Sequence, residues 1–487
     1  MRGHIAFAGR YAGLIFFACA LLVVFGSKMA LLDRYGSDLP YWDQWGKEAD
    51  WILAPLREGN PAWLPAALLP HNEHRIYFTL GVDVLLTLVS GQFDARQECV
   101  ISALLHAAIA ASLALFAWRR LSRAWGLISG GIIITISALP LAWDNVLWGF
   151  QSAFYFLIGF SLLGMDGLLR ETFSTRWWLG LLAMLCALVS MGSGFLCALV
   201  LLPLFIRDVL TAGPSRRIYW SLVATAAVLA LGWYFHFEAP WHANLRARSV
   251  KVFVTYYGHC LAWPVTAYVA CGILFYSPLL VLAARWLRRG APPGPAGHTL
   301  RFTLAMGVWA LLQIAAVSYA RGNPGGLPAN RYGDVFTIGL FANAFALGLL
   351  APALGNWRRG WVIWAGVWLV VLGFSVAVDM RKIYRDELPQ HRGKTKAFES
   401  SVRTYIADGD AAALRKRPIP FPDYDWFIRM LNRPSIRAIL PPSVSNPHRV
   451  SMLSRAAQQL GRLGWVLTAV GLGGLALLAT ARKSSPD

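Results

Sequence analysis

Residues 37–50 read SDLPYWDQWGKEAD, and residues 71–75 read HNEHR. Both stretches belong to one polar segment, residues 33–97, which directly follows a first apolar run over residues 11–32. The chain has 487 residues, of which 56% are hydrophobic and only 14% are charged. A segment that gathers carboxylates, imidazoles and tryptophans in such a chain indicates a loop at the surface of a membrane.

Apolar runs long enough to cross a membrane recur along the whole sequence. A crossing helix needs about 20 apolar residues, and the mean hydropathy of +0.48 agrees with this pattern. We therefore predict an all-α polytopic membrane protein with about twelve transmembrane helices. The predicted spans are residues 11–32, 98–118, 126–142, 150–169, 177–190, 194–206, 218–235, 263–284, 302–319, 334–354, 361–378 and 462–480.

The basic residues set the predicted orientation. The chain has 45 Lys and Arg against 25 Asp and Glu, a net charge of +20, and many of the cations form short clusters between apolar runs. Because cytoplasmic loops are enriched in such cations, we predict that these clusters and both termini are cytoplasmic and that residues 33–97 are periplasmic. The run 76–89 would reverse this arrangement if it crossed, so we interpret it as a helix in the membrane interface.

This topology predicts three parts and a location. A transmembrane catalytic module covers residues 1–378, a small periplasmic segment covers 379–461, and a last span with a cytoplasmic tail covers 462–487. The cations are used for orientation, so nucleic acid is not a predicted partner. We expect a multi-pass protein of a bacterial inner membrane whose active site faces the periplasm.

Asp43 is the first candidate catalytic residue. Trp42 and Trp45 flank it, and tryptophans favour the bilayer interface, where they would hold Asp43 level with lipid headgroups and contribute to substrate binding. A carboxylate at that depth is poorly solvated, which suits a general base. Glu48 is a second candidate acid in the same loop. The alternative is that these acids are solvated loop residues or helix caps.

The cluster His71, Glu73, His74 and Arg75 has two interpretations. Histidine and carboxylate are common ligands of divalent metals, and two imidazoles three residues apart share one face if the segment is helical. Alternatively, these residues bind a phosphate or cap the interfacial helix that follows. A divalent metal is therefore a possible cofactor, and no other cofactor is predicted.

Two further outer segments carry candidate residues. Asp144 lies between Trp143 and Trp148, either as a functional interfacial acid or as a helix cap. Arg321, Arg331 and Tyr332 belong to a Gly/Pro-rich loop that could bring guanidinium groups onto a phosphate. The alternative for this loop is an ordinary turn with arginines at the lipid headgroups.

The arrangement resembles the GT-C superfamily of polytopic glycosyltransferases, which includes protein mannosyltransferases and the lipid A aminoarabinose transferase. The resemblance covers the topology and, among residues, Asp43 in Tyr-Trp-Asp-Gln-Trp, Asp144, and Arg331-Tyr332. It implies that Asp43 acts on the acceptor, that Asp144 supports it, and that Arg331 binds the phosphate of a polyprenyl-linked donor. Gln44 replaces the glutamate that follows the acid in the mannosyltransferases, which favours a glycan or lipid-linked acceptor over a protein.

These features together predict an inverting transfer of a sugar from a polyprenyl-phosphate donor to an envelope acceptor, such as lipid A or O-antigen. An O-antigen ligase or polymerase would also join lipid-linked glycans outside the membrane. From a different class, a transporter or flippase of lipid-linked glycans would need charged residues within the spans. A non-catalytic assembly protein would not need Asp43.

Overall fold

The structure, a computed structural model, describes residues 2–213, 215–323, 325–351, 358–415, 423–445, 448 and 450–481. The predicted cytoplasmic tail 482–487 lies outside these ranges. Every regular element in the described residues is helical. The longer helices are α1 (Arg2–Tyr35), α2 (Tyr77–Ser90), α3 (Ala95–Arg120), α4 (Arg123–Ala138), α5 (Ser152–Leu168), α6 (Thr175–Leu188), α7 (Leu202–Ala212), α8 (Arg216–Tyr234), α9 (Val250–Leu261), α10 (Ala270–Arg289), α11 (Gly294–Arg321), α12 (Gly333–Leu350), α13 (Arg358–Lys382), α14 (Leu388–Asp408), α15 (Tyr424–Asn432) and α16 (Met452–Ala481).

Short helical segments connect these helices. Two are of the π type, Gln44–Leu53 and Ile383–Glu387, and the second makes α13 continuous with α14. The others are Ala54–Arg57, Trp63–Leu68, Trp143–Leu147, Gly149–Gln151, Leu196–Leu199, Pro240–Leu245, Asn330–Tyr332, Ala411–Arg415 and Pro434–Arg437.

Seven of the described helical stretches are long and apolar enough to cross a membrane: Tyr11–Tyr35, Ala95–Arg120, Ala270–Arg289, Gly294–Arg321, Asn330–Leu350, Arg359–Asp408 and Met452–Thr480. Three shorter apolar helices accompany them, α2, α4 and α6. The prediction of an all-α membrane protein is confirmed at this level. Two predicted spans differ in detail: 194–206 is divided between Leu196–Leu199 and α7, and the helix expected over 263–284 begins only at Ala270.

The first and last helices pack closely against each other in opposite directions. Gly461 lies beside Asp33, and Gly464 approaches the backbone of Ala30 so closely that a β-carbon there would overlap it. Small residues permit such close backbone approach. In lipid the hydrophobic effect does not drive helices together, so the van der Waals contacts of this close packing stabilise the pair. The C-terminal end of α1 therefore lies next to the start of α16.

Arg119 and Arg301 lie at one end of the bundle, whereas Arg34 and Arg321, which end α1 and α11, lie at the other. Gly13 of α1 lies against the guanidinium of Arg119 at the end of α3. Phe116 of α3 packs on Phe302 near the start of α11, with ring centroids 5.0 Å apart, and Arg301 is the neighbour of Phe302. The polar segment 33–97 lies at the opposite end, where α1 ends and α3 begins.

A second hydrophobic core lies outside the bundle, between the first outer loop and the C-terminal segment. Trp45 is fully buried in it and meets the Phe427 ring edge-on at 4.9 Å. Arg433 ties the same two segments with ion pairs to Glu58 at 2.6 Å and Asp50 at 3.0 Å. The buried apolar members are Leu39, Trp45, Ala49, Leu53, Ala54, Phe93, Phe398, Val402, Tyr405, Leu414, Phe427, Met430, Leu431, Ile436, Ile439, Leu440 and Val444.

Candidate active site

Asp43 stands at the start of the π-helix Gln44–Leu53, half-buried, and its side chain makes no capping hydrogen bond. Its Oδ2 lies 3.6 Å from Nε2 of His71. The preceding residue, Trp42, has a left-handed backbone with φ +50° and a side chain that is 41% exposed. Such a conformation costs a non-glycine residue about 1–3 kcal/mol and is concentrated at functional sites. The loop thus presents Asp43 beside an imidazole.

The cluster at 71–75 is a tight turn, which differs from the helical conformation that the metal interpretation required. The backbone amide of His71 donates to the carbonyl of His74 at 2.7 Å, and His74 returns the bond at 2.9 Å. Asn72, at φ +50°, makes the reversal. His71 consequently faces Asp43 and the Phe150 ring, while Nδ1 of His74 accepts a bond from the Gly192 amide. In the described part of the chain, His71, Glu73 and His74 do not converge as metal ligands.

Glu73 is bound by cationic and imidazole partners from distant segments. Its Oε2 lies 3.1 Å from Nη2 of Arg321, and its Oε1 lies 2.7 Å from Nδ1 of His242. Both ends of the Glu73–Arg321 pair are mostly buried, with side chains 17% and 18% exposed. The pair joins the turn at 71–75 to the outer end of α11.

This pairing sets the protonation of the turn. Burial alone raises the pKa of Glu73, but the Arg321 guanidinium, with smaller contributions from His74 and His242, outweighs burial and holds the pKa at about 2. Burial lowers the pKa of His74 to about 4, even though Glu73 acts in the opposite direction. At neutral pH the turn therefore carries an ionised Glu73 beside a neutral His74.

The turn that carries Asp144 lies against the loop that carries Arg331. The Asp144 amide donates to Oδ1 of Asn330 at 3.2 Å, and Nδ2 of Asn145 donates to the Arg331 carbonyl at 2.8 Å. Burial raises the pKa of Asp144, and the Arg331 guanidinium opposes this rise. Two positions predicted from widely separated segments are thus neighbours.

Aromatic contacts connect this turn to the first loop. The ring of Tyr41 meets Trp148 edge-on at 5.5 Å, and Trp148 stacks on Phe150 at 6.2 Å. Phe150 in turn contacts His71, the neighbour of Asp43. The segments that carry Asp43, Asp144 and Arg331 therefore enclose one region at the end of the bundle where α1 ends and α3 begins.

An apolar cavity of about 410 Å³ opens next to this region. Glu73, His74, Arg246, Arg321 and Tyr332 supply its polar edge. Five further polar residues line it, Ser193, His236, Glu238, Gln313 and Tyr319, and Glu238 pairs with Arg246 at 2.7 Å. The larger apolar side chains of the lining are Phe154, Leu157, Met191, Phe195, Leu196, Phe237, Leu312, Val317 and Val335. The cavity combines a hydrocarbon-like interior with a charged rim.

A second cavity, of about 470 Å³, lies where α1, α3, α14 and the C-terminal segment meet. Four cations line it, Arg34, Arg96, Arg392 and Lys396. None of the four forms a salt bridge within the described residues. The neighbouring acids instead bond to hydroxyl groups, as Asp38 does to Ser443 and Glu399 does to Ser37. Asp33, Asp38 and Glu399 line the cavity as well, so it is polar with a small excess of cations, in contrast to the first.

Of the predicted site residues, Glu73, His74, Arg321 and Tyr332 line the first cavity, and none lines the second. Three of the others are engaged in contacts within the protein. Trp45 is fully buried, and its Nε1 donates to the Pro40 carbonyl at 2.8 Å, so it packs the outer core and offers no surface to a substrate. Glu48 is also fully buried and turned into the protein. Arg75 donates to the carbonyls of Leu68 and Phe235 and lies over the Phe235 ring.

A buried polar network close to the site has no counterpart in the sequence predictions. Oδ2 of Asp334 accepts hydrogen bonds from Asn145 and Tyr155, both at 2.9 Å, and its Oδ1 lies 3.9 Å from Nε2 of His106. Lys28, only 2% exposed, donates to the carbonyl of Leu139. The members of this network lie within or beside apolar runs, and their partners are remote in sequence. The one sequence signal that could have revealed the network is a charged residue within a predicted span.

Comparison with known proteins adds nothing to this geometry: no family model matches the chain, and no curated protein or solved structure shows significant similarity to it. The chemistry of the site is therefore inferred from the geometry of its own residues.

Proposed function

We propose that the protein is a membrane glycosyltransferase that moves a sugar from a polyprenyl-phosphate donor to a glycan or lipid-linked acceptor. The observation that carries the proposal is the apolar cavity with a rim of charged side chains, next to the half-buried Asp43–His71 pair. A cavity of this kind suits a ligand whose hydrocarbon part and anionic part are adjacent, as in an isoprenoid phosphate.

The donor would lie with its isoprenoid against the aromatic and aliphatic lining and its phosphate at the rim. Arg321 is held there by Glu73, and Arg246 lines the same cavity. Arg331, next to Tyr332 of the lining, is the third guanidinium near this position. Guanidinium groups bind phosphate oxygens through paired hydrogen bonds and would stabilise the negative charge of the departing phosphate.

Asp43 would act as the general base. In an inverting transfer it accepts the proton of an acceptor hydroxyl, whose oxygen attacks the anomeric carbon from the face opposite the phosphate. The bond between the anomeric carbon and the phosphate oxygen breaks, and the electron pair leaves with the phosphate. His71 would orient Asp43, and Asp144 would balance the charge of Arg331.

The acceptor would approach from the second cavity, whose small excess of cations suits a glycan or lipid headgroup that carries negative charge. The complete proposal retains twelve spans, cytoplasmic termini and a bacterial inner membrane with the site facing the periplasm. Its support is that Arg119 and Arg301 lie at the end of the bundle opposite the candidate site.

The test is sugar transfer by purified full-length protein from defined polyprenyl-phosphate sugars to an envelope glycan extract. Asp43→Asn is expected to lower the transfer rate by about 10²–10⁴-fold, as removal of a general base does. The control is Asp50→Asn, because Asp50 lies in the same loop but pairs with Arg433 in the outer core. Equal transfer by wild type and Asp43→Asn would remove Asp43 as the base.

A transporter of lipid-linked glycans is the second candidate, and the buried Lys28–His106–Asp334 group favours it. Charged residues within spans commonly mark ion or proton pathways. Absence of transfer by wild type across several donors, together with loss of glycan translocation in Asp334→Asn, would favour this alternative. Transfer that survives in Asp334→Asn would count against it.

A further inference from the structure

Three buried carboxylates meet beneath the first outer loop. Glu48 comes from the π-helix Gln44–Leu53, Asp83 from α2 and Glu98 from the first turn of α3. One oxygen of each carboxylate lies within 4.8 Å of an oxygen of the other two. The three residues are 0%, 1% and 2% exposed, so water does not surround the group.

The group lacks the partners that buried carboxylates normally have. Neither oxygen of Asp83, nor Oε1 of Glu48, has a hydrogen-bond partner in the described part of the chain. The amide of Gln44 donates to Oε2 of Glu98 at 2.5 Å and to Oε2 of Glu48 at 3.4 Å, which leaves the Asp83 carboxylate uncompensated. An unpartnered side chain that is almost fully buried therefore points into the group.

The nearest lysine in sequence does not supply the missing charge. Lys47 is buried, and its ammonium donates to the carbonyls of Ala66 and Leu69 at 2.8 and 3.0 Å. No salt bridge reaches Glu48, Asp83 or Glu98 from the described Lys, Arg and His residues. Gly149 leaves room for the Glu98 carboxylate, because a β-carbon at position 149 would overlap it.

Three carboxylates in this setting require either protons or a bound cation between them. Donors that are all oxygen select hard divalent cations and discriminate against metals that prefer nitrogen or sulfur ligands. Such ions bind oxygen at about 2.0–2.6 Å, so ligand oxygens on opposite sides of the ion lie about 4–5 Å apart. Three ligand oxygens around one ion lie closer together than an opposite pair, and the limit of 4.8 Å between the carboxylate oxygens leaves room for one ion among them.

We propose that Glu48, Asp83 and Glu98 bind one hard divalent cation, calcium, magnesium or manganese. The ion ties the first outer loop to α2 and α3. It is a structural ion, because its ligands are closed off from the cavities, and it is taken up as the loop packs against the bundle. The proposal is independent of glycosyl transfer. It concerns how the loop that carries Asp43 is held in place.

The experiment uses the full-length protein in detergent, stripped of metal by a chelator during partial unfolding and then returned to folding conditions. Binding is measured with Mn²⁺ by electron paramagnetic resonance, and stability is measured as the thermal midpoint with and without Ca²⁺, Mg²⁺ or Mn²⁺. Wild type is expected to bind one ion per chain and to gain thermal stability from at least one of the three cations.

The matched variants are Asp83→Asn and Glu98→Gln, with Glu58→Gln as a control acid from the same loop that already pairs with Arg433. Each cluster variant is expected to weaken Mn²⁺ binding by at least about tenfold and to lose the cation-dependent gain. Glu58→Gln is expected to bind as wild type does. Without added cation, Asp83→Asn is expected to be at least as stable as wild type, because it removes one of three like charges.

Failure of wild type to bind Mn²⁺ and to respond to any of the three cations would overturn the proposal. The same holds if both cluster variants bind as wild type does. A stability that falls with rising pH and ignores cations would assign the group to shared protons instead, and would also overturn it.

Discussion

Glu73 and Glu48 both lie in the polar segment between α1 and α3, yet their charges are balanced in different ways. Glu73 meets the guanidinium of Arg321 and the imidazole of His242, and its pKa lies at about 2. Glu48 meets two other acids, and burial raises its pKa. A buried charge needs a counter-charge. The chain itself supplies one to Glu73, whereas Glu48 needs a proton or a bound cation.

The Glu73 region suits a chemical role, whereas the Glu48 region suits a structural role. The region around Glu73 borders the apolar cavity. The ionised Glu73 carboxylate and the Arg321 guanidinium that it holds both line that cavity. The uncompensated region lies under the loop and borders no cavity that we describe. The same polar segment thus serves a proposed chemical role at one site and a proposed structural role at another.

The largest expected effect comes from breaking the compensated pair. Arg321→Ala leaves Glu73 mostly buried without its main counter-charge, and the loss of one partner of such a pair costs about 3 kcal/mol or more in free energy of unfolding. The measurement is chemical unfolding of the purified protein in detergent. The double variant with Glu73→Gln and Arg321→Ala is expected to recover part of the lost free energy of unfolding. An Arg321→Ala variant as stable as wild type would show that Arg321 does not compensate the buried charge of Glu73.

An intermediate effect is expected from pH. The lowered pKa of Glu73 stabilises the folded protein above the ordinary carboxyl value of 4.5, and this stability is lost as the pH falls toward about 2. The raised pKa of Glu48 works in the opposite sense: its contribution is complete below 4.5 and is lost as the pH rises above that value. One proton contributes at most about 1.4 kcal/mol per pH unit.

The pH comparison is made on stability profiles of metal-free protein. Glu48→Gln is expected to flatten the fall of stability at higher pH and to leave the acid limb unchanged, whereas Glu73→Gln is expected to flatten only the acid limb. Identical profiles for the two variants would mean that the two regions do not differ as described.

The smallest effect is expected from Glu58→Gln. Glu58 pairs with Arg433, but its side chain is 37% exposed, so solvent already screens the charge. Exposed pairs contribute less than about 1 kcal/mol, and the contribution declines as salt is added. The contribution of the Glu58–Arg433 pair is measured as the difference in free energy of unfolding between wild type and Glu58→Gln at low and at high salt. A loss as large as that of Arg321→Ala would show that burial does not separate the two pairs.

The helices could be predicted because apolar length is a local property of the sequence. The expected span 98–118 corresponds to α3, and 302–319 lies within α11. The region near 194–206 could not be predicted in the same way, because apolar residues continue through the turns that break it. Long-range packing, in which α8 contacts both α6 and α7, permits short helical pieces that sequence length alone does not reveal.

The candidate site could be predicted in part. Asp43, His71, Asp144 and Arg331 are polar residues in outer segments, and the structure brings their segments together, although the chemical role of each stays a prediction. The acid cluster could not be foreseen, since Asp83 lies in an apolar helix and Glu98 in the first turn of a span. The burial of Trp45 could not be foreseen either, because its ring packs on Phe427 from the C-terminal segment, beyond the reach of any local pattern.

The outer core has a consequence for biosynthesis. Trp45 packs against Phe427, and roughly 380 residues must be synthesised between them, which takes on the order of half a minute at about 5–20 residues per second. During that interval the first loop has been synthesised but lacks the C-terminal residues that bury Trp45. The loop that carries Asp43 therefore gains these core contacts only after the segment around Phe427 has been synthesised.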